Sequence, residues 1–372
     1  MNKIFLTITF FLSLCISTLG FQSVSFAVLS DNVQSLKSCG DDDDTAACNG
    51  VCQTNASGHI VIGALGLPVD ADNTSSYRDS CNMIPDSYRV ILYSGGLCTA
   101  DPYSASAGAT ADYTTNCDLF FSDAAGKVIT LTHDGNGTAT ASPSLTDSGI
   151  NLGIKTYTHA FMVMSNHLQI KHSTTFDFSG TSTASKMQGG GASAESEGVV
   201  CWSTDSTSTF SNLDGITGAN HGNRTLSVGD GTFGESGTQC GDTLNAGTHA
   251  YATEIIETFG EASGNWNAST LVPRMAYEAS PLDIGGTKAA ILLQDIGGVK
   301  TTVATTMENA VAMLYAVALT TPLAITEETT TFNIGFGLSG SVSVDFTSKN
   351  GSDELYISKH GADPVDIKFT AE

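Results

Sequence analysis

The stretch TFNIGFGLSGSVSVDF, residues 331–346, decides the fold class. Its apolar side chains occupy even positions from Phe332 to Phe346, and Asn, Gly, Ser or Asp occupy the odd positions. Gly340 is the one break in the apolar series, so we expect a bend or turn at Ser339–Gly340. A period of two is typical of a strand with one buried face, and the stretch therefore predicts half-buried β-sheet.

Apolar runs bounded by turn residues recur along the chain. The pattern continues after a predicted hairpin turn at Asn350–Gly351, and Asn136–Gly137 marks another tight turn. Further strand-like runs are HIVIGALGLPV (59–69), YRVILYS (88–94), DLFFSD (118–123), KVITLTH (127–133) and THAFMVMSNHLQIKH (158–172), the last as one long or two short strands. Two runs fit a helix or a strand, YATEIIETFG (251–260) and TMENAVAMLYAVAL (306–319), and we favour a strand for the second. The prediction is an all-β fold, a disulfide-stabilised antiparallel sandwich or jelly-roll-like architecture with at most one or two short helices.

Residues 1–27 have the features of a secretory signal peptide, an apolar run that ends at a small-x-small site. We expect a cysteine-rich β domain over 28–178, then a linker or long exposed loop over 179–198. Residues 199–372 form either a second β-rich domain or a continuation of the same sandwich. The predicted location is outside the cell, at its surface or in the periplasm, with no integral membrane span after signal removal.

Eight cysteines follow the predicted signal peptide, an even number that indicates disulfides in an exported protein. The candidates are Cys39, Cys48, Cys52, Cys81, Cys98, Cys117, Cys201 and Cys240. We predict two local pairs, Cys98–Cys117 and Cys201–Cys240. The alternative is zinc held by Cys39, Cys48 and Cys52 with His59, but that spacing fits no common zinc module.

The chain is strongly acidic, with 38 Asp and Glu against 15 Lys and Arg and a formal net charge of −23. This charge argues against nucleic acid and anionic membranes as partners. Calcium is the cofactor that the acidic stretches DDDD (41–44), DADN (70–73) and DGNG (134–137) would suit, but none has the pattern of a calcium-binding loop. We therefore predict no cofactor and no metal site.

The segment PLDIGGTK (281–288) contains the pattern D-x-G-G-T-K. It resembles the first phosphate loop of the sugar kinases of the repressor/ORF/kinase family. That resemblance implies that Asp283 would handle metal-bound phosphate and that Thr287 and Lys288 would contact its oxygens. The resemblance is confined to these residues, without the apolar strand that precedes the loop in that family. We therefore predict a Gly-Gly turn that leads into a buried strand, Ala289 to Leu293, ended by a second turn at Gly297–Gly298.

No catalytic signature emerges from the remaining residues. His159, His167 and His172 lie in one segment, but His167 and His172 would point to opposite faces of a regular strand. No G-x-S-x-G motif is present. Trp202 and Trp266 could stack on sugars, although both also suit a core.

We expect a secreted or cell-surface structural or interaction protein of filament, sheath or adhesin type, and not an enzyme. It would associate with itself or with other surface proteins. The alternative is a secreted carbohydrate-binding protein or a hydrolase that acts on glycans.

Overall fold

A computed structural model gives the structure of part of the chain. The described residues are 52–63, 66–71, 80–102, 111–133, 139–142, 152–180, 187–189, 196–209, 237–256, 274–277, 288–304, 309–329, 332–348, 355–362 and 365–371. The predicted signal peptide, Cys39 and Cys48 lie outside these residues. The described part is nearly all strand and contains no α-helix, which confirms the all-β prediction.

The largest sheet has eleven described strands: β3 (Ser87–Cys98), β4 (Cys117–His133), β5 (Ala139–Ser142), β6 (Thr156–Ser165), β7 (His167–Lys171), β12 (Ser206–Thr209), β14 (Ala252–Ile255), β15 (Arg274–Tyr277), β16 (Lys288–Ile296), β17 (Val299–Val303) and β18 (Ala312–Ala324). Eight of them follow one another in the order β12, β14, β7, β3, β6, β18, β16 and β15. Strand β4 pairs with β3 and β5, and β17 pairs with β16.

Three smaller sheets complete the described structure. The four-stranded sheet contains, in spatial order, β1 (Ile60–Val61), β8 (Ser173–Asp177), β11 (Val200–Ser203) and β13 (Thr238–Gly241). The five-stranded sheet contains β10 (Ser196–Gly198), β9 (Met187–Gly189), β21 (Leu355–Ala362), β20 (Val342–Ser348) and β2 (Ser80–Met83). The two-stranded sheet pairs β19 (Phe332–Gly337) with β22 (Asp366–Ala371).

The centre of the large sheet is apolar on both faces. In β6, Met162 and Met164 belong to one core cluster, whereas Phe161 and Val163 belong to another. Adjacent strands β18 and β16 divide their side chains in the same way. A sheet with both faces covered needs continuous apolar runs rather than alternation, which explains the runs HAFMVM and AAILL.

The C-terminal alternation builds the layer that covers one of these faces. Phe332, Ile334 and Phe336 of β19 are buried in the core cluster of the large sheet. The ring of Phe332 packs against that of Phe120, with the two ring centroids 5.4 Å apart. The chain turns at residues 338–341, where the Ser341 amide donates to the Leu338 carbonyl. It then enters β20 in the five-stranded sheet. The predicted break at Ser339–Gly340 is thus a change of sheet.

A second core lies between the four-stranded and five-stranded sheets. It contains Ile60 and Phe176 from the first sheet and Val344 and Phe346 from the second, with Phe176 edge-on to Phe346 at 6.0 Å. Three of the four sheets combine strands from both sides of residues 179–198. That segment, predicted to be a linker or a loop, includes all of β9 and β10, and its Met187 side chain is fully buried in this second core.

The remaining strand predictions have specific outcomes. Segment 158–172 forms two strands, β6 and β7, separated at the buried residue Asn166. Both ambiguous runs contain strands, β14 within 251–260 and β18 within 306–319 and beyond. Residues 134–138 and 349–354 connect antiparallel partners, as hairpins require, but the turns themselves lie outside the described residues.

Three disulfides join described cysteines. Both predicted local pairs are present: Cys98–Cys117 closes the end of the β3–β4 pair, and Cys201–Cys240 links directly paired positions of β11 and β13. A third, Cys52–Cys81, ties the segment that begins at residue 52 to β2. Each cross-link limits the freedom of the unfolded chain and so favours the folded state.

Candidate functional site

The kinase-like segment contributes a structural strand. Strand β16 lies between β15 and β18, and Ile291, Leu292 and Leu293 are fully buried. The predicted buried strand is therefore confirmed. Asp283 and Thr287 lie outside the described residues.

The predicted turn at Gly297–Gly298 is also present, with φ angles of 66° and 90° that suit glycine. Asp295 stabilises this turn, because its carboxylate accepts from the Gly298 amide and pairs with Lys300 at 3.0 Å. These contacts, the largest of which is the hydrogen bond from Lys300, lower the pKa of Asp295. The second acidic residue of the kinase-like stretch thus organises a hairpin.

The zinc alternative fails at Cys52. Its sulfur is bonded to Cys81, so it is not available as a thiolate ligand. The His59 backbone amide donates to the Asn55 side chain, which orders a local turn. No group of three or more His, Cys, Asp or Glu residues able to hold a metal ion occurs in the described ranges.

Of the three acidic stretches, only the start of the second is described. Asp70 is buried, and its backbone bridges to that of Cys52. The stretches at 41–44 and 134–137 lie outside the described residues.

Histidines 159, 167 and 172 do not form a common site. His159 is paired opposite Cys98 at one end of β3, whereas Lys171, which precedes His172, is paired opposite Ser87 at the other end. The strand length of β3 therefore separates His159 from His172.

His172 instead meets residues from distant parts of the sequence, in a cluster that we call the histidine junction. Its members are Asp86, His172, His249, Glu254 and His360. The rings of His172 and His360 are 5.8 Å apart and meet edge to face, and each residue is only 2% exposed. His249 lies 3.5 Å from the Asp86 carboxylate.

The junction marks the places where the chain changes sheets. By the order of the described strands, the chain passes between the large sheet and the smaller ones six times, at residues 84–86, 172, 204–205, 210–237, 242–251 and 325–331. Asp86, His172 and His249 each lie in a different one of these connections. The cluster thus brings together three of the six crossings.

Hydrogen bonds fix the two buried imidazoles to threonines of the four-stranded sheet. Nε2 of His172 bonds to the Thr174 hydroxyl of β8, and Nδ1 of His360 bonds to the Thr238 hydroxyl of β13 at 2.8 Å. The latter bond links the five-stranded to the four-stranded sheet. Glu254 links β21 to the large sheet, because its carboxylate accepts from the Ala362 amide.

The surroundings favour neutral imidazoles. Burial, assisted by the nearby His249, lowers the pKa of His360 to about 3. Burial and the proximity of His360 lower the pKa of His172 well below its ordinary value, against the opposing effect of the Asp86 carboxylate. Burial and the nearby charge of Lys171 also lower the pKa of His249.

A second polar cluster, around Asp118, holds a loop in place. Its carboxylate accepts from the Tyr157 hydroxyl and from the Gly153 amide, and it pairs with Lys155 at 2.9 Å. Desolvation opposes ionisation of Asp118, but the bonds from Lys155 and Tyr157 outweigh it and lower its pKa. Because the Tyr157 side chain is fully buried, this arrangement anchors the residues that lead into β6.

Trp202 is a core residue and not a surface platform. It is 4% exposed, and its indole NH donates to Thr248 at 2.9 Å. A sugar ring would need an exposed aromatic face, so Trp202 does not serve that role. Trp266 lies outside the described residues.

Sequence reasoning did not find the histidine junction. The local pattern groups His159, His167 and His172, whereas His249 and His360 come from a loop and from a strand near the C-terminus.

No helix in the described part of the chain has the length and apolar character needed to cross a bilayer. No family model, no curated protein and no solved structure matches the chain.

Proposed function

We propose that the protein is an exported structural or interaction protein, a subunit of a filament, a sheath or an adhesin-type surface structure. The observation that carries this proposal is the placement of its cross-links. Cys98–Cys117 and Cys201–Cys240 each join directly paired strand positions in two different sheets. Cross-strand disulfides keep neighbouring strands in register when a protein is pulled or partly unfolded. They are also compatible with an oxidising location outside the cytoplasm.

The use of acidic side chains supports the same proposal. Asp112, Asp123 and Asp177 each accept backbone amide hydrogen bonds from residues two or three positions later in the chain. Such bonds order turns at the surface. In Asp112 and Asp177 the hydrogen bonds, first those from the side chains of Thr115 and Ser179, lower the pKa. These carboxylates contribute to loop rigidity, which suits a protein that presents a fixed surface to partners.

The test is the state of the native protein purified from its source. We expect large assemblies that sediment rapidly, survive detergent and dissociate on heating, and that appear in electron micrographs as filaments or sheets. A monodisperse monomer that binds a glycan array would contradict the proposal and would favour the carbohydrate-binding alternative.

A matched pair of variants separates loss of assembly from loss of folding. Ile296 and Val299 flank the Gly297–Gly298 turn and are 57% and 54% exposed. Ile154, 65% exposed, lies on a different loop. If β16–β17 contacts a neighbouring copy, Ile296→Ser combined with Val299→Ser reduces assembly more than Ile154→Ser does, with circular dichroism spectra unchanged.

A further inference from the structure

We propose that the histidine junction is an acid-sensitive lock. It holds the four-stranded and five-stranded sheets together above neutral pH, and their transient separation becomes more frequent as the pH falls below it. Opening would separate β13 from β21 and expose the second core, while the large sheet stays folded. This device is independent of the function proposed above.

Hydrogen bonds of the histidine junction contribute directly to the contact between the four-stranded and five-stranded sheets. The His360–Thr238 bond joins the two sheets directly, and Thr174, which bonds to His172, contacts the sulfur of Met83 in β2 at 3.3 Å. His360 therefore bonds directly across the two sheets, and His172 bonds to a threonine that contacts the opposite sheet. The second core beside them contains Phe176 and Val344, which water would reach after separation.

Protonation acts against the closed arrangement. Two imidazolium rings at 5.8 Å would repel each other, with little water to screen the charges. After opening, both rings meet solvent and bind protons with their ordinary affinity. Because the open form binds more protons than the closed form, acid favours opening.

The other charged groups at the junction change how strongly acid favours opening, but they do not reverse its direction. The Asp86 carboxylate, from the connection between β2 and β3, favours protonation of His172 and His249. His249, from the connection between β13 and β14, opposes protonation of both buried rings, and Lys171 of β7 opposes that of His249. Glu254 of β14 faces the Ala362 amide, at the end of the strand that carries His360. Burial outweighs the attraction of Asp86.

Hydrogen–deuterium exchange of the full chain tests the lock. Protection factors, corrected for intrinsic exchange at each pH, are compared between β13 and β21 on one side and β16 and β18 on the other. With two protons taken up on opening at the ordinary histidine pKa of 6.5, protection of β13 and β21 should fall about 250-fold between pH 6.5 and pH 5. Protection of β16 and β18 should change far less.

Two neutral variants assign the effect to the two rings. His172→Gln keeps a polar group near the Nε2 position, and His360→Asn keeps one near the Nδ1 position. Each should reduce the fall in protection to about 16-fold, because one titrating group remains. His59→Gln, which changes a histidine in the 52–63 segment, is the control and should behave like the unmodified protein.

Equal pH dependence in β13, β21, β16 and β18 would overturn the proposal. A ring titration by NMR of the unmodified protein gives a second reading that needs no variant. We expect the His172 and His360 ring signals to keep their neutral positions down to pH 5. A midpoint near 6.5 for both rings in the folded protein would also overturn the proposal.

Discussion

Leu314, in the centre of the large sheet, and His360, in the histidine junction, are buried to nearly the same extent, with exposures of 0% and 2%. Their surroundings differ in kind. Leu314 packs among apolar side chains, and their burial stabilises the folded state at any pH. Burial of His360 stabilises the folded state only while its ring is neutral and bonded to Thr238. Burial therefore gives unconditional stability in one region and conditional stability in the other.

The largest effect should come from a charge in the apolar region. Leu292→Asp would place a carboxylate at a fully buried position of β16, and we expect it to cost at least about 5 kcal/mol and to prevent folding. Circular dichroism and the yield of soluble protein measure the outcome. Ile296→Asp is the matched control on the same strand, because Ile296 is 57% exposed. A folded Leu292→Asp protein would show that the centre of the sheet admits water.

Removal of a disulfide should have the next largest effect. Changing Cys201 and Cys240 together to Ser should lower the free energy of unfolding by about 4 kcal/mol for a separation of 39 residues. The corresponding change of Cys98 and Cys117, separated by 19 residues, should cost about 3 kcal/mol. Denaturant unfolding at pH 7 gives both values.

Removal of each disulfide should also affect a different region of the protein. Cys201–Cys240 lies in the same β11–β13 pair as Ser203 and Thr238, both of which border the histidine junction. Its loss should therefore accelerate exchange of the β13 and β21 amides. Equal acceleration by the Cys98–Cys117 change would contradict this local assignment.

Acid should weaken the junction alone. The folded-state pKa values of His172 and His360 lie below 6.5, so their contribution is complete above pH 6.5 and is lost as the pH falls towards about 3. Between pH 7 and pH 5.5 the free energy of unfolding should fall by about 2.5 kcal/mol for the two groups. Denaturant unfolding at the two pH values measures this difference. The variant with both His172→Gln and His360→Asn should lose less, and an equal loss would assign the effect to other groups.

The smallest expected effects come from glycine substitutions, which compare the cost of a steric clash with the cost of an unfavourable backbone conformation. A Cβ at Gly96 of β3 would lie 2.6 Å from the Asp118 backbone oxygen and 2.6 Å from the Phe161 ring. Gly96→Ala should therefore cost about 1 to 3 kcal/mol. Gly297→Ala meets nothing within 4 Å but has a φ of 66°, and it should cost about 1 kcal/mol. Thermal unfolding compares the two, and a larger cost at Gly297 would contradict the packing argument.

Local patterns explain which features the sequence could predict. The alternation of Phe332, Ile334 and Phe336 depends only on neighbours two positions apart, and it correctly indicated a strand. The prediction of a single buried face was wrong for β19, because Asn333 and Gly337 are buried as well. The pairs Cys98–Cys117 and Cys201–Cys240 could be predicted because each joins two consecutive cysteines that flank a single segment of the chain. The apolar run at 289–293 similarly contains its own evidence for burial.

Features that depend on distant partners could not be predicted in this way. His172 is a polar residue at a strand end by local pattern, and only the packing of β13 against β21, which belong to different sheets, brings His360 to it. Run 251–260 was ambiguous because a strand of four residues, β14, is too short to reveal its period. Met187, alone among small polar residues, gave no sign that its neighbours would join a sheet.

Burial of both faces of the large sheet limits the symmetry with which copies of the protein can assemble. Because the described centre of that sheet buries both faces within one chain, copies of the protein would meet through strand edges, loops and hairpin tips. Contacts between two different patches of this kind repeat from one copy to the next, and they either close into a ring or continue as an open helix. For the proposed subunit, the rotation and rise per copy, read from a helical reconstruction, would identify the two patches that meet.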